Sequence, residues 1–370
     1  MAPEESAPVA LARRLVGDSL SVRAGENVLI ESWNHTLPYA AACVVEARRR
    51  GAHPLLLFED ELALWRSADG PVRGLGRPGS HELAALARTD AYVHFPGPAD
   101  RSRYRSIPAA FRTVLDGEHP AWKSAARRAR VRSVRSALGY ASEPQAAFWG
   151  VSATTWRGQL LKASLEPDPS EIRRAGRWTR ELLGRAREVR ITAANGTDVR
   201  LALKGRRPVV DDGIVGPEDR SEGHLATLVP PGNVIVAPDE ASAEGIAVGS
   251  RPSYLPWGRA DGGQWEFHEG HLSSAWFSEG RAEFEAALTE AAPRGRNVVS
   301  LMAIGLNPSL PPGTPQVEDQ EAGAVTLAVG GNRGFGGSVS SSFLAWIVVG
   351  EATVAIDGRP LLDRGKILDG

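Results

Sequence analysis

Early in the chain, short apolar runs alternate with stretches of helical period. Residues 27–31, 54–58 and 91–95 read as buried strands, and residues 38–50 and 81–87 between them as helices. Gly51 closes the first helix before the second strand, so the alternation predicts an α/β domain with a parallel sheet covered by helices. No Gly-x-Gly-x-x-Gly turn follows the first strand. Glu31-Ser32-Trp33-Asn34-His35-Thr36 stands there, and the bulk of Trp33 disfavours a dinucleotide site, so this sheet reads as scaffold. Asn34 and His35 read as cap or loop residues, with ligand binding at the strand's carboxyl end as the alternative.

A long helix is expected over residues 169–187, with Asp168 and Ser170 as capping candidates and Glu171 in its first turn. Beyond it the period changes. Residues 188–192, 199–203, 234–237, 247–248, 264–267 and 325–329 read as short strands between Gly, Pro, Asn and Asp turns, with one helix near 282–292. The second half is thus a mostly antiparallel β (α+β) domain. A chain of 370 residues also exceeds the size at which one core stops growing, so the expected division is 1–167 and 168–370.

Composition narrows the partners. With 42% hydrophobic residues, 24% charged and a net charge of −1, this is an ordinary globular composition that gives no reason to expect nucleic acid. The run Arg127-Arg128-Ala129-Arg130-Val131-Arg132 reads as a solvated helix face, with anion binding as its alternative. Cys43, the only cysteine, permits no internal disulfide and lies on an apolar helix face, as a small core residue would. No apolar run approaches the about 20 residues of a membrane span and no secretory leader is recognisable, so no membrane and a cytoplasmic location are expected.

Four segments of the second half carry a recognisable order: Pro230-Pro231-Gly232-Asn233-Val234, Ala303-Ile304-Gly305-Leu306-Asn307-Pro308, Gly323 to Gly330, and Ser341 to Ile347. This order resembles the aminopeptidase T (AmpS/PepS) family of metallopeptidases, and the opening segment Leu15 to Leu20 and the closing segment Ile356 to Ile367 extend the resemblance over nearly the whole chain. It implies an aminopeptidase T-like fold and a homodimer. In the family the corresponding segments carry two Glu, two His and an Asp as ligands of two metals. Laid on this chain, those ligands fall on Asn233, Leu301, Thr326, Ala345 and Ile347, an amide, a hydroxyl and three hydrocarbons, which do not replace carboxylate and imidazole. The resemblance therefore implies a degenerate site with no metal and no cofactor.

Around that site, Trp346 keeps the family residue between two lost ligands. Glu318-Asp319-Gln320 replaces the family's Asp-Glu-Lys, and two neighbouring carboxylates without the Lys are candidates for acid and base, with solvated surface charges as the bland reading. Asn233, Thr326, Arg333, Trp346, Leu301, Ala345 and Ile347 are the expected substrate-binding set, and Ala345→Trp is expected to block the pocket with little loss of fold. The Gly-rich Gly330 to Ser338 segment reads as a structural turn, and His268 with His271 as exposed hairpin residues. Ser340-Ser341-Ser342 cannot be assigned a triad without an adjacent base.

The expected function is a metal-independent aminopeptidase-like enzyme acting on an amino-acid- or peptide-derived small molecule, such as a tailoring step of natural-product biosynthesis. The alternatives are an inactive pseudo-peptidase that binds a ligand or partner, and a metallo-aminopeptidase with relocated ligands.

Overall fold

The computed structural model describes residues 6–68, 76–115, 119–203, 205–255, 258–290, 294–341 and 343–368. The chain divides into two compact units, Met1–Leu165 with Gly213–Pro230, and Glu166–Asp212 with Pro231–Gly370. The return of Gly213–Pro230 to the first unit is a feature that a single linear division does not contain.

In the first unit, β1 (Asn27–Trp33), β2 (His53–Glu59), β3 (Ala91–His94), β4 (Arg132–Ser136) and the strand Ala226–Val229 form a parallel five-stranded sheet in the order β2-β1-β3-β4-(Ala226–Val229). The helix Leu37–Arg49 packs on β1 and buries Ala40, Cys43 and Ala47. Burial pushes the Cys43 thiol well up, which leaves it an inert core residue. Helices Ser80–Leu86 and Pro120–Ala129 cover Leu29 and Tyr92.

The strand β4 was not legible in sequence because arginines stand at its first and fourth positions. Arg127 and Arg128 are exposed on the helix Pro120–Ala129, whereas Arg132 turns into the sheet and places its guanidinium 2.6 Å from Glu26. Beyond β1, Asn34 donates to Asp60 at 2.9 Å and accepts from the Glu61 N–H at 2.8 Å, capping the helix Glu61–Ala68. His35 Nε2 lies 2.8 Å from the Gly139 carbonyl.

The second unit opens on the helix Pro169–Arg185, where Asp168 accepts from the Ser170 N–H at 2.8 Å. Two large antiparallel sheets follow, beside a two-stranded one formed by Ser253–Leu255 and Gly258–Ala260. The eight-stranded one runs from His271–Trp276 to Lys366–Ile367, and its strands Glu188–Thr192, Asp198–Ala202 and Gln264–His268 alternate buried and exposed residues, the period expected of a sheet with one wet face. The other comprises β5 (Val209–Asp211), β6 (Asn233–Val236), β7 (Val299–Gly305), β8 (Val325–Gly330) and β9 (Leu344–Val349), in the order β9-β8-β7-β6-β5. Every residue of β7 and β8 is buried, so both faces of this sheet are covered.

Val234, Val236, Met302, Ile304, Leu327 and Val329 share the main core with Val189, Ile191, Val199 and Leu201 of the larger sheet. His268 and His271 flank an exposed hairpin turn in which Glu269 and Gly270 have φ of 46° and 76°. The Gly-rich turn is tied down by Glu240, which accepts from Asn332 Nδ2 at 3.1 Å and from the Ser338 N–H at 2.7 Å. Ser342 lies outside the described residues. No helix among the described residues is long and apolar enough to cross a membrane.

Candidate active site

The register of the five-stranded sheet sorts the candidate residues. Asn233 pairs with Gly305, Thr326 with Ala303 and Val348, and Leu301 and Trp346 both with Ala328. Cross-strand partners share a face, so Asn233, Leu301, Thr326 and Trp346 stand on one side of the sheet. Ala345 pairs with Val329 and Ile347 with Leu327. Both therefore point the other way, into the main core, each 1% exposed. The structure does not bring these two to the candidate site. Along a strand, a register offset of one residue exchanges every side chain between faces, and the family spacing alone did not resolve that offset.

Leu301 packs with Ala237 and Ala328, and Trp346, Phe335 and Ile235 close over them. Arg333 stands exposed in the single turn Arg333–Phe335, outside this cluster. One end of the face is thus filled by apolar side chains, and polar groups occupy the other.

The residues common to this chain and the family order build the loop that follows β7. A side chain at Gly305 would meet the Glu321 carbonyl at 1.9 Å, and Gly232, at φ 123°, would meet Asn307 at 2.9 Å. Their close approach lets Asn307 Nδ2 donate to the Pro231 carbonyl at 2.7 Å while its N–H donates to the Gln320 carbonyl at 2.9 Å. Arg251 grips Glu321 through two hydrogen bonds of 2.6 and 3.0 Å. The conserved-looking frame is therefore backbone architecture that presents the turn Glu318–Gln320. It places no demand on ligand identity.

Within that turn Glu318 is fully buried, and neither of its carboxyl oxygens completes a hydrogen bond among the described residues. Burial, then the charge of Asp319, pushes its pKa up to about 8 against the opposing pull of backbone N–H groups and the nearby Trp346 indole. Trp346 Nε1 approaches Glu318 without reaching hydrogen-bond geometry. Asp319, half-buried, accepts from Asn233 Nδ2 at 2.7 Å, and burial raises it to about 6. Tyr254 is pushed up to about 12 by burial and then by Glu318. Just upstream, Gln316 is held at φ 70°, a left-handed backbone that a glutamine adopts at some cost. Asn233 Oδ1, Thr326 Oγ1 and Trp346 Nε1 are buried without partners on the same sheet face.

This donor set does not fit a two-metal centre. Among the described residues no three His, Cys, Asp or Glu side chains stand close enough to share an ion, and the positions facing the site offer an amide, a hydroxyl, an indole and two carboxyls. The arrangement suits proton transfer instead. Burial raises both adjacent carboxyls, Glu318 further than Asp319, so the pair stands closer to neutral pH than free carboxylates do. Glu318 and Asp319 were visible in sequence as the paired acids standing where the resembled family carries Asp-Glu-Lys. Tyr254 and Arg251 were not, because they reach the loop from distant positions without a motif, and Gln316, within the loop itself, carries no motif either.

No protein-family model and no curated protein matches the chain. Among solved structures, AmpT from Thermus thermophilus superposes with a TM-score of 0.75 at 19% identity, covering 98% of this chain and 99% of that one. The chain has an aminopeptidase T-like fold. A 2,5-dihydroxypyridine dioxygenase from Pseudomonas putida KT2440 superposes with a TM-score of 0.65 at 14% identity over 99% of both chains. The aminopeptidase T-like fold thus extends to a protein named for a different chemistry.

Proposed function

We propose that this chain is a metal-independent enzyme that uses Glu318 and Asp319 as an acid–base pair on a small molecule derived from an amino acid or peptide. The observation that carries the reading is Glu318, a fully buried carboxyl with both oxygens unpartnered, beside an Asp319 oriented by Asn233. At neutral pH Glu318 holds its proton and Asp319 is largely ionised. Asp319 takes a proton from the substrate, Glu318 supplies one, and Asn233 fixes the aim of the base. The spare Asn233 oxygen suits a substrate N–H or ammonium group, and the Thr326 hydroxyl and Trp346 N–H suit a substrate carbonyl or carboxylate.

A tailoring step on such a molecule is favoured over peptide hydrolysis, because the groups that would make a hydroxide nucleophile from water in a two-metal peptidase are missing. The small-molecule chemistry named for the dioxygenase relative supports that preference. The family resemblance adds a homodimer, which light scattering reads, and the sequence reading adds a cytoplasmic location.

Incubation with a panel of amino-acid derivatives and dipeptides, followed by mass spectrometry, tests the reading. Turnover is expected to survive chelator and to fall steeply in Glu318→Gln and Asp319→Asn, while simple aminoacyl amides stay intact. Turnover abolished by chelator, or one or more equivalents of zinc or cobalt retained per chain in elemental analysis, overturns it. A second reading is a pseudo-peptidase that binds without turnover, favoured by the packing of Leu301, Ala237 and Ala328 under Trp346 and Phe335. Saturable ligand binding with no product in any arm of the panel selects it.

A further inference from the structure

The first unit carries a second constellation of functional groups, in a different unit from the Glu318 turn. Register places Glu31 of β1, His94 of β3 and Arg135 of β4 directly beside one another, so these three side chains form a row across one face of the sheet near its carboxyl edge. The chain runs from β1 outward to β2 and then back past β1 to β3, so the strand order reverses between β1 and β3. Open parallel sheets commonly bind ligands at the carboxyl ends beside such a reversal. A cavity of about 200 Å³ opens here, lined by His94, Pro96, Gly97, Arg101, Leu115, Arg135 and Tyr140.

Two guanidiniums line this cavity. Arg101 is held in place: its Nη1 donates to the Gly97 carbonyl at 3.2 Å, and its guanidinium carbon lies 4.4 and 5.6 Å from the ring centres of Tyr104 and Tyr140. Arg135 is exposed on β4. The buried His94 between them is kept neutral, first by burial and then by the charges of Arg135 and Arg101. A neutral imidazole next to two cations can donate or accept a hydrogen bond without adding to the charge. Glu31, 3.6 Å from His94, does not line the cavity; its carboxylate receives the Tyr92 hydroxyl, and burial lifts it to about 7.

We propose that this carboxyl edge is a second ligand site, which takes the oxyanion group of a small metabolite, a phosphate or a carboxylate, between Arg101 and Arg135 over His94. The cavity has room for about six or seven water-sized groups, enough for an oxyanion and a short body. Planar guanidiniums suit bidentate contact with either kind of group. Pro96, Leu115 and the Tyr140 ring supply a wall for the body. The row Glu31–His94–Arg135 is invisible as a motif because its members come from three strands and meet only through register.

The test is calorimetric titration of the full chain at constant ionic strength, with inorganic phosphate in one arm and acetate in the other. Saturable binding at one equivalent per chain is expected in at least one arm. Saturation by phosphate alone assigns a phosphorylated ligand, by acetate alone a carboxylate ligand, and by both an unselective oxyanion grip. Each of Arg135→Gln and Arg101→Gln is expected to weaken binding about ten- to a hundredfold. Arg200→Gln, an exposed residue of the other unit, should leave it unchanged. Thermal melting of each variant checks that it is folded. On the wild-type protein, the ring protons of His94 should shift in NMR spectra on adding the saturating anion, a readout that needs no variant. Failure of both anions to saturate, binding equally tight in folded Arg135→Gln and Arg101→Gln, or an unmoved His94 resonance would each overturn the proposal.

Discussion

The two faces of the five-stranded sheet are both buried, yet they are built differently. On one, Met302, Ile304, Leu327, Ala345 and Ile347 join a continuous hydrocarbon core. On the other, Asn233, Thr326, Trp346 and the neighbouring Glu318 leave buried polar atoms unpartnered. Buried polar groups left unpaired cost stability, a cost that the five hydrocarbon residues of the other face do not carry. The same contrast recurs within the loop after β7. Glu318 and Glu321 are both buried, but Glu321 is clamped by Arg251 whereas Glu318 makes no such bond among the described residues. Burial alone does not separate anchor from candidate acid. The partner does.

Changes on the two faces should therefore act on different observables. The largest expected effect is on the polar face: Asp319→Asn should lower turnover about a hundredfold or more with little change in melting temperature, since the lost function is proton transfer. Equal turnover in that variant would return the polar face to a structural role. On the core face, Ile347→Ala should cost about 2–5 kcal/mol in denaturant unfolding. Ala345→Trp, which the sequence reading took for a pocket-blocking change with little loss of fold, should overpack the core by at least about 1–3 kcal/mol and expose the protein to unfolding.

The anchor comes next. Arg251→Leu leaves Glu321 buried without its partner, and should cost about 3 kcal/mol and loosen the turn that presents Glu318 and Asp319, reducing turnover as well. The smallest effect concerns pH. The folded-state pKa of Glu318, about 8, lies above its ordinary 4.5. The stability it contributes is present below about 4.5 and is lost as pH rises through about 8, because the unfolded chain gives up the proton first. Glu318→Gln should flatten that decline and raise stability at pH 8 by about 1–2 kcal/mol; an unchanged pH slope would show that Glu318 is solvated.

Residues 27–31, 54–58 and 91–95 were legible as strands because their apolar runs are bounded by turn residues, and the observed β1, β2 and β3 differ from them by one or two positions at their ends. The strands Val299–Gly305 and Leu344–Val349 were missed: the first is covered on both faces and shows no alternation, and in the second the residues are apolar whether exposed or buried, so neither offers a pattern to detect. The 2.7 Å bond between Asn233 and Asp319 joins positions 86 residues apart. Ala345 and Ile347 were placed with them by spacing, and strand register put them on the opposite side.

By itself the sequence determined the class of each half, the glycines that shape the loop after β7, and the amide, hydroxyl and hydrocarbon side chains at Asn233, Thr326, Leu301, Ala345 and Ile347. All of these are set by residue identity and local spacing. Tertiary structure alone decided which side of the sheet each residue faces, that Glu321 is paired while Glu318 is not, and that Glu31, His94 and Arg135 form one row. Those depend on register and on contacts between residues far apart in the chain, which no local pattern encodes.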